Sequence, residues 1–384
     1  MIRIETDGEC GNGKSIRQLG HDTYAFDVEA DDNYCYYFCA RVTNSGGPTR
    51  FSLAVLPDPL HAAAGMSSWP GDKAALVWLQ RGDQWQQVPD LGWRGSDTLS
   101  VGDDGYQMSI GIDEGETVVL SNEAVIPYSA MCDWLRPTAA ESNGLAAVRE
   151  VGLSAEERPI LDLALAAPGT EARPTVLVVS GEHAVEFAGE WAVRGMIEFL
   201  LSTHPEARRL RGRYVFHFLT QVNPDGNVRG RPQLSAQSLD LYLGYAEALA
   251  GRQPSSPECR AVWAVAEQAG PALLLNMHGY VGPRRHGVAP YHGAYVPPLS
   301  CYRHADAQMA QRRLMDRLRY DTAGLSQHGY FLENGPASLA YAVATRFGAP
   351  ACLYEPNMGD GIYGNMMTGI RVLRATTAAL VDEA

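Results

Sequence analysis

Thr175-Val176-Leu177-Val178-Val179-Ser180-Gly181-Glu182-His183-Ala184-Val185-Glu186 carries an apolar, β-branched run into a glycine turn that ends in His-x-x-Glu. A short continuous run of this kind predicts a strand buried on both faces, as in a sheet covered by helices. Apolar residues then recur at helical spacing (Phe187, Trp191, Val193, Ile197, Leu200, Leu201), predicting a helix over 186–201. His183 and Glu186 therefore stand at the carboxyl end of a buried strand, where open α/β sheets place their ligands. Ten His and 44 Asp+Glu in 384 residues produce about one His-x-x-acid pair by chance, so context decides its meaning.

The same texture continues through the second half. Strands are predicted at 158–166, 213–221, 272–277 and 349–354, and helices at 257–269, 304–319 and 337–347. Alternation of this kind predicts an α/β fold, a mixed sheet flanked by helices on both faces. His278 follows the apolar run 272–277, and Glu355 follows 351–354. Taken singly, His278 reads as a hydrogen-bonded core imidazole, His183 as part of a helix-capping turn and Glu355 as a strand-end carboxylate. Taken together at one sheet edge, two imidazoles and a carboxylate make a catalytic zinc donor set with a fourth position open for water. Glu355 beside it would take the water's proton and pass it to the leaving group.

Residues 1–127 read differently. Strand-like runs at 34–42, 51–56, 75–79, 106–112 and 117–121 are separated by turn signals such as Asn44-Ser45-Gly46-Gly47-Pro48 and Asp113-Glu114-Gly115. The rhythm predicts an all-β sandwich domain preceding the α/β part. Its His21 and His61 have no metal-like spacing, and the module offers no chemistry. A junction is expected at 126–137, giving domains at 1–127 and 128–384.

A chain of 384 residues suits two domains, and 46% hydrophobic with 20% charged residues is the composition of a folded globular protein. A formal net charge of −13 argues against nucleic acid or an anionic membrane as partner, since either needs a basic face. No apolar run reaches the length of a membrane span, and Met1-Ile2-Arg3-Ile4-Glu5-Thr6-Asp7 lacks a signal-peptide core. The seven cysteines include no Cys-x-x-Cys pair and lie mostly in apolar runs, which predicts reduced core residues in a cytoplasmic protein. Oligomeric state is not predictable from these features.

The order His183-x-x-Glu186, Asn223-Pro224-Asp225-Gly226, Asp240, His278-Gly279 and Glu355 resembles the zinc metallocarboxypeptidase family, in which the Asn-Pro-Asp-Gly segment is a hallmark. The first module is similar to the N-terminal domain of the cytosolic carboxypeptidase branch, notably at Tyr36-Tyr37-Phe38-Cys39-Ala40-Arg41-Val42-Thr43-Asn44 and Ile126-Pro127-Tyr128. The resemblance implies one Zn2+ ion held by His183, Glu186 and His278, with Glu355 as general base and acid. It implies that Asp240 orients the first histidine, and that Arg231, or failing that Arg229, faces the oxyanion. The substrate it implies is a peptide.

One departure limits that inference. Where the family carries Asn and Arg to grip a terminal carboxylate, this chain has Tyr242 and Leu243, and leucine cannot make arginine's bidentate pair. Arg284 and Arg285, on the loop after His278, could hold the carboxylate instead. Alternatively the substrate lacks one, which would make the protein an amidase, deacylase or esterase of a small metabolite. A third explanation is a different register across this short loop. Tyr330 is the candidate for the family's substrate-closing tyrosine. A non-catalytic binding protein is a further class, against which stands the presence of the whole ligand set together with Glu355.

Overall fold

Period-two burial organises the first half. In β5 (Thr49–Leu56) Phe51, Leu53 and Val55 are buried while Ser52 is exposed, the signature of a strand with one face on a core. The computed structural model describes the chain apart from residues 32–36, 61–75, 89–97, 103–104, 171, 281–291, 323–329, 334 and 381–384. Ahead of β5 come β1 (Ile2–Glu5), β2 (Lys14–Gly20), β3 (Thr23–Asp27) and β4 (Cys39–Asn44). After it come β6 (Trp78–Arg81), β7 (Gln84–Gln87), β8 (Thr98–Gly102), β9 (Gly105–Ile112) and β10 (Thr117–Ser121).

These strands form two five-stranded sheets, ordered β1-β4-β10-β6-β7 and β2-β3-β5-β9-β8. Val42 and Leu120 from the first share one core with Phe51, Val55 and Ile110 from the second, so the sheets pack face to face as a sandwich. Four of the strands missing from the sequence reading, β1, β2, β7 and β8, lie at sheet edges. β2 shows only exposed and half-buried positions, and a strand without a buried face gives no alternation to read.

The second half holds an eight-stranded sheet. Its strands are β11 (Ala146–Leu153), β12 (Pro159–Leu165), β13 (Thr175–Ser180), β14 (Val215–Leu219), β15 (Leu273–Met277), β16 (Gly293–Val296), β17 (Tyr330–Glu333) and β18 (Ala351–Glu355). Their order is β11-β12-β14-β13-β15-β18-β16-β17. The central four are mutually parallel, and antiparallel pairings join them to β12 and β16.

Successive side chains of β13 feed opposite cores. Val176 and Val178 pack with Val193, Ile197 and Leu373 from the helices Phe187–Leu201 and Gly361–Ala379. Leu177 and Val179 pack with Val262, Trp263 and Val343 from the helices Pro257–Ala269 and Leu339–Phe347. Full burial of one such aliphatic side chain is worth ~1.5–3 kcal/mol, and Val176, Leu177, Val178 and Val179 are all apolar because the strand has no solvent face.

The segment 126–137, expected as the junction, runs largely within the helix Tyr128–Ala140, with Pro137 inside it. Proline usually ends or kinks a helix, which is why the sequence reads there as a break.

Candidate metal centre

Three adjacent parallel strands end level with one another. Ser180 of β13 pairs with Met277 of β15, and Met277 pairs with Tyr354 of β18. The next residues along these chains are the turn to His183, then His278, then Glu355. Gly181, at φ +79°, makes the first turn; a Cβ there would lie 2.6 Å from the Gln221 Cα. The helix Phe187–Leu201 follows with Glu186 as its N-cap residue.

The two histidines face one carboxylate from opposite sides. His183 Nδ1 lies 2.9 Å from Glu186 Oε1, and His278 Nδ1 lies 2.7 Å from Glu186 Oε2. One ligand atom from each of the three residues falls within 4.8 Å of the others, and all three side chains are buried. The rings meet edge to face with centroids 4.9 Å apart, and the Gly279 amide donates to Glu186 Oε2 at 3.1 Å.

The outer nitrogens are held as well. His183 Nε2 lies 3.2 Å from Asp240 Oδ1, and His278 Nε2 lies 2.9 Å from Glu182 Oε2. Carboxylates on the outer nitrogens fix each ring's orientation and leave Nδ1 as the inward donor. Two imidazoles and a carboxylate arranged in this way fit a zinc ion.

Charge follows geometry. Burial opposes protonation of His278, but the Glu186 and Glu182 carboxylates outweigh it and push its pKa up to about 9. His183 is raised as well, burial being outweighed by Glu186 and Asp240. Burial works against the Glu186 carboxylate, yet the two imidazoles hold it well below the ordinary carboxyl range. Glu355 keeps partial exposure at its strand end. Desolvation of its carboxyl, reinforced by the charge of Glu186, pushes its pKa up to about 8.

Asp240 caps the short 3-10 turn Leu241–Leu243 by accepting from the Tyr242 amide at 3.0 Å. Tyr242 is thereby set against both imidazoles, its ring centroid 6.1 Å from His183 and 5.8 Å from His278. Leu243 turns outward and is half exposed. Tyr295 lies within electrostatic reach of Tyr242, Tyr280 and Glu355. Desolvation and the neighbouring charges of Glu355, Tyr242, Tyr280 and Glu186 push the Tyr295 pKa up to about 12.

The two arginines after the Asn-Pro-Asp-Gly turn are engaged elsewhere. Arg229 pairs with Glu156. Arg231 pairs with Asp31 at 3.0 Å and donates to the Ser235 carbonyl and the Ser238 hydroxyl. Their contacts among the described residues are thus away from the histidine–glutamate cluster. Arg284 and Arg285 lie outside the described residues, as does the side chain of Tyr330, whose backbone begins β17. Asn223 and Asp225 serve the scaffold: Asn223 Nδ2 donates to the Glu182 carbonyl, and Asp225 receives Ser154, the Glu156 amide and Arg158.

Glu182, Tyr280 and Tyr295 escaped the sequence reading. For Glu182 a signal existed, since successive side chains leaving a strand point to opposite sides and a carboxylate beside His183 had to face something else. For Tyr295 the strand β16 itself went unread.

Residues 131–239 match the family described as zinc carboxypeptidase. Cytosolic carboxypeptidase 2 of Danio rerio is 26% identical over 262 residues, covering 64% of this chain and 36% of that protein. Residues 131–239 are thus similar to zinc carboxypeptidases. The chain spans about a third of the length of that cytosolic carboxypeptidase. An uncharacterized protein of Zymomonas mobilis is 30% identical over 200 residues, 50% of this chain and 49% of its own.

Among solved structures, a metallo-carboxypeptidase from Burkholderia cenocepacia superposes with a TM-score of 0.77 at 19% identity, covering 99% of both chains. A metallo-carboxypeptidase from Pseudomonas aeruginosa in complex with (2-guanidinoethylmercapto)succinic acid gives 0.77 at 20% identity, again over 99% of both. At such identities the likeness concerns fold, and it extends through the sandwich as well as the eight-stranded sheet. No helix among the described residues is long and apolar enough to cross a membrane.

Proposed function

We propose that the protein is a zinc-dependent hydrolase of the carboxypeptidase type that cleaves an amide bond of a peptide. The observation that carries this reading is the pair of imidazoles turned with Nδ1 toward Glu186 and with Nε2 on a carboxylate. In this proposal His183, Glu186 and His278 hold a single zinc ion. When bound, the ion supplies Lewis acidity toward a carbonyl oxygen and makes water more acidic.

The chain's own residues do the rest. Glu355 takes a proton as the water oxygen adds to the carbonyl carbon. It returns that proton to the amide nitrogen as the C–N bond breaks, leaving a carboxylic acid and an amine. A general base works best with a pKa near the operating pH, and the desolvated position of Glu355 supports that role. The substrate is proposed to lie against Tyr242, Tyr280 and Tyr295. We assign Arg231 to holding its loop rather than to the oxyanion, because Asp31 and Ser235 occupy its guanidinium. We place the domain boundary near residue 127 and the protein in the cytoplasm.

A second reading is an amide or ester hydrolase for small molecules without a terminal carboxylate. What favours it is Tyr242 packed on the two imidazoles where a carboxylate grip would be expected, beside the outward Leu243. Elemental analysis for zinc, with hydrolysis of matched peptides bearing free and amidated C-termini, tests both. A folded protein that binds no zinc removes the hydrolase proposal; equal rates on the two peptides favour the second reading.

A further inference from the structure

We propose that Asp31 of the β-sandwich is a positioning residue for the metal centre, acting on His183 through the loop Arg231–Leu234. The proposal rests on the assignment of His183 as a ligand. It gives the sandwich a task at the site that its sequence does not announce.

Asp31 is buried, and among the described residues its carboxylate is spent on that loop. Oδ1 takes Arg231 Nη2 at 3.0 Å, while Oδ2 takes the Leu234 amide at 2.9 Å and the Gln233 amide at 3.4 Å. The loop then reaches the site twice. Gln233 Nε2 donates to Asp240 Oδ2 at 2.9 Å, and Asp240 Oδ1 holds His183 Nε2. The Pro232 carbonyl accepts from the Val185 amide at 3.4 Å, within the His-x-x-Glu segment itself.

The sandwich grips the same loop at its root. Asn12 Nδ2 donates to the Gly230 carbonyl at 3.0 Å, and the Cys10 amide donates to the Asn227 carbonyl at 3.0 Å. Gly230, at φ +62°, approaches Gly11 so closely that a Cβ would lie 1.8 Å from the Gly11 carbonyl oxygen. A buried carboxylate receiving two amides and a guanidinium fixes backbone more firmly than neutral hydrogen bonds do. Asp240 has its remaining oxygen set by Gln233, so the register of the loop decides where that carboxylate stands and how the imidazole is turned.

The deciding measurement uses metal-free protein with labelled histidine and reads solvent exchange of the ring Nε2 protons. In Asp31→Asn, exchange at His183 and at the Gln233 and Leu234 amides is expected to quicken at least about tenfold, while His278, held by Glu182, stays as in the parent. Gln233→Ala should reproduce the His183 change, and the double variant should be no worse than the larger single one. Zinc affinity, read by chelator competition, should fall about 10–100-fold in each. Faster amides with an unchanged His183 proton would reduce Asp31 to an interface residue and overturn the proposal. Equal acceleration at both histidines, meaning general loosening, would overturn it too. A parent protein without zinc affinity defeats the hydrolase reading, yet the ring-proton exchange still decides this one. If Asp31→Asn does not fold, Arg231→Met releases the same clamp and is read identically.

Discussion

Glu182 Oε2 stands 2.9 Å from His278 Nε2, and the same oxygen receives Asn276 Nδ2 at 2.8 Å. Asp240 makes the equivalent contact to His183, so each histidine of the centre has a carboxylate behind it. Asn276 in turn ties Glu182 to β15, the strand that delivers His278. Carboxylates placed behind metal-ligating imidazoles raise their basicity and fix their orientation.

Glu182→Gln keeps size and hydrogen-bonding capacity but removes the charge. Zinc affinity is expected to fall about 10–100-fold, with circular dichroism unchanged. Competition against a chromophoric chelator measures it. An affinity within about twofold of the parent would show that Glu182 merely fills space behind the ring.

Glu355→Gln separates metal binding from chemistry. The side chain lies at the end of β18 and is absent from the histidine–glutamate cluster, so zinc should bind as in the parent. Turnover of any substrate found should drop by about 10²–10⁴, the usual contribution of a positioned general base. Stoichiometric zinc with undiminished turnover would assign the proton transfer to another group.

Much of this site is legible because three buried strands each end in a polar residue. An apolar run such as Leu273–Met277 has nowhere to go but a sheet interior, and the His278 that follows must sit at its edge. What stays hidden depends on distant partners. The ion pair of Arg231 with Asp31 joins residues 200 positions apart, and no local pattern marks either member. Arginines near a sheet edge look catalytic until the acid that occupies them is found. The helix Gly361–Ala379 was unread for another reason: its glycines and threonines blur the apolar stripe. Yet Gly369 is what lets it close on the helix Phe187–Leu201, where a Cβ would lie 2.0 Å from the Ala192 carbonyl oxygen.

Glu190 makes stability depend on pH. It is fully buried and accepts from Gln221 Nε2 at 2.7 Å, and burial pushes its pKa up from 4.5 to about 8. A carboxyl raised on folding keeps its proton in the native state while the unfolded chain loses it. Stability is therefore present in full below pH 4.5, falls as pH rises, and levels off above about 8. Glu190→Gln removes that dependence. Relative to the parent, its stability in urea should rise progressively between pH 5 and 8, by on the order of a few kcal/mol at the alkaline end. A difference that does not change with pH would mean that the side chain is already ionised in the native protein.

Gly181→Ala and Gly115→Ala differ in what the added methyl meets. Both glycines have positive φ, +79° and +74°, and any L-residue there is strained by roughly 1–2 kcal/mol. Around Gly115 the methyl would find nothing within 4 Å, so strain is the whole effect. At Gly181 it would stand 2.6 Å from the Gln221 Cα and 3.0 Å from Glu190 Oε1, both residues buried. That backbone cannot give way without moving the turn that carries His183. Gly181→Ala should therefore destabilise by at least about 1–3 kcal/mol more than Gly115→Ala, the usual penalty of overpacking. It should also weaken zinc binding, which Gly115→Ala leaves alone. Urea unfolding and chelator competition on the pair supply both numbers. Equal losses would locate the requirement in backbone conformation alone, and would remove the close approach to Gln221 as the reason for a glycine before His183.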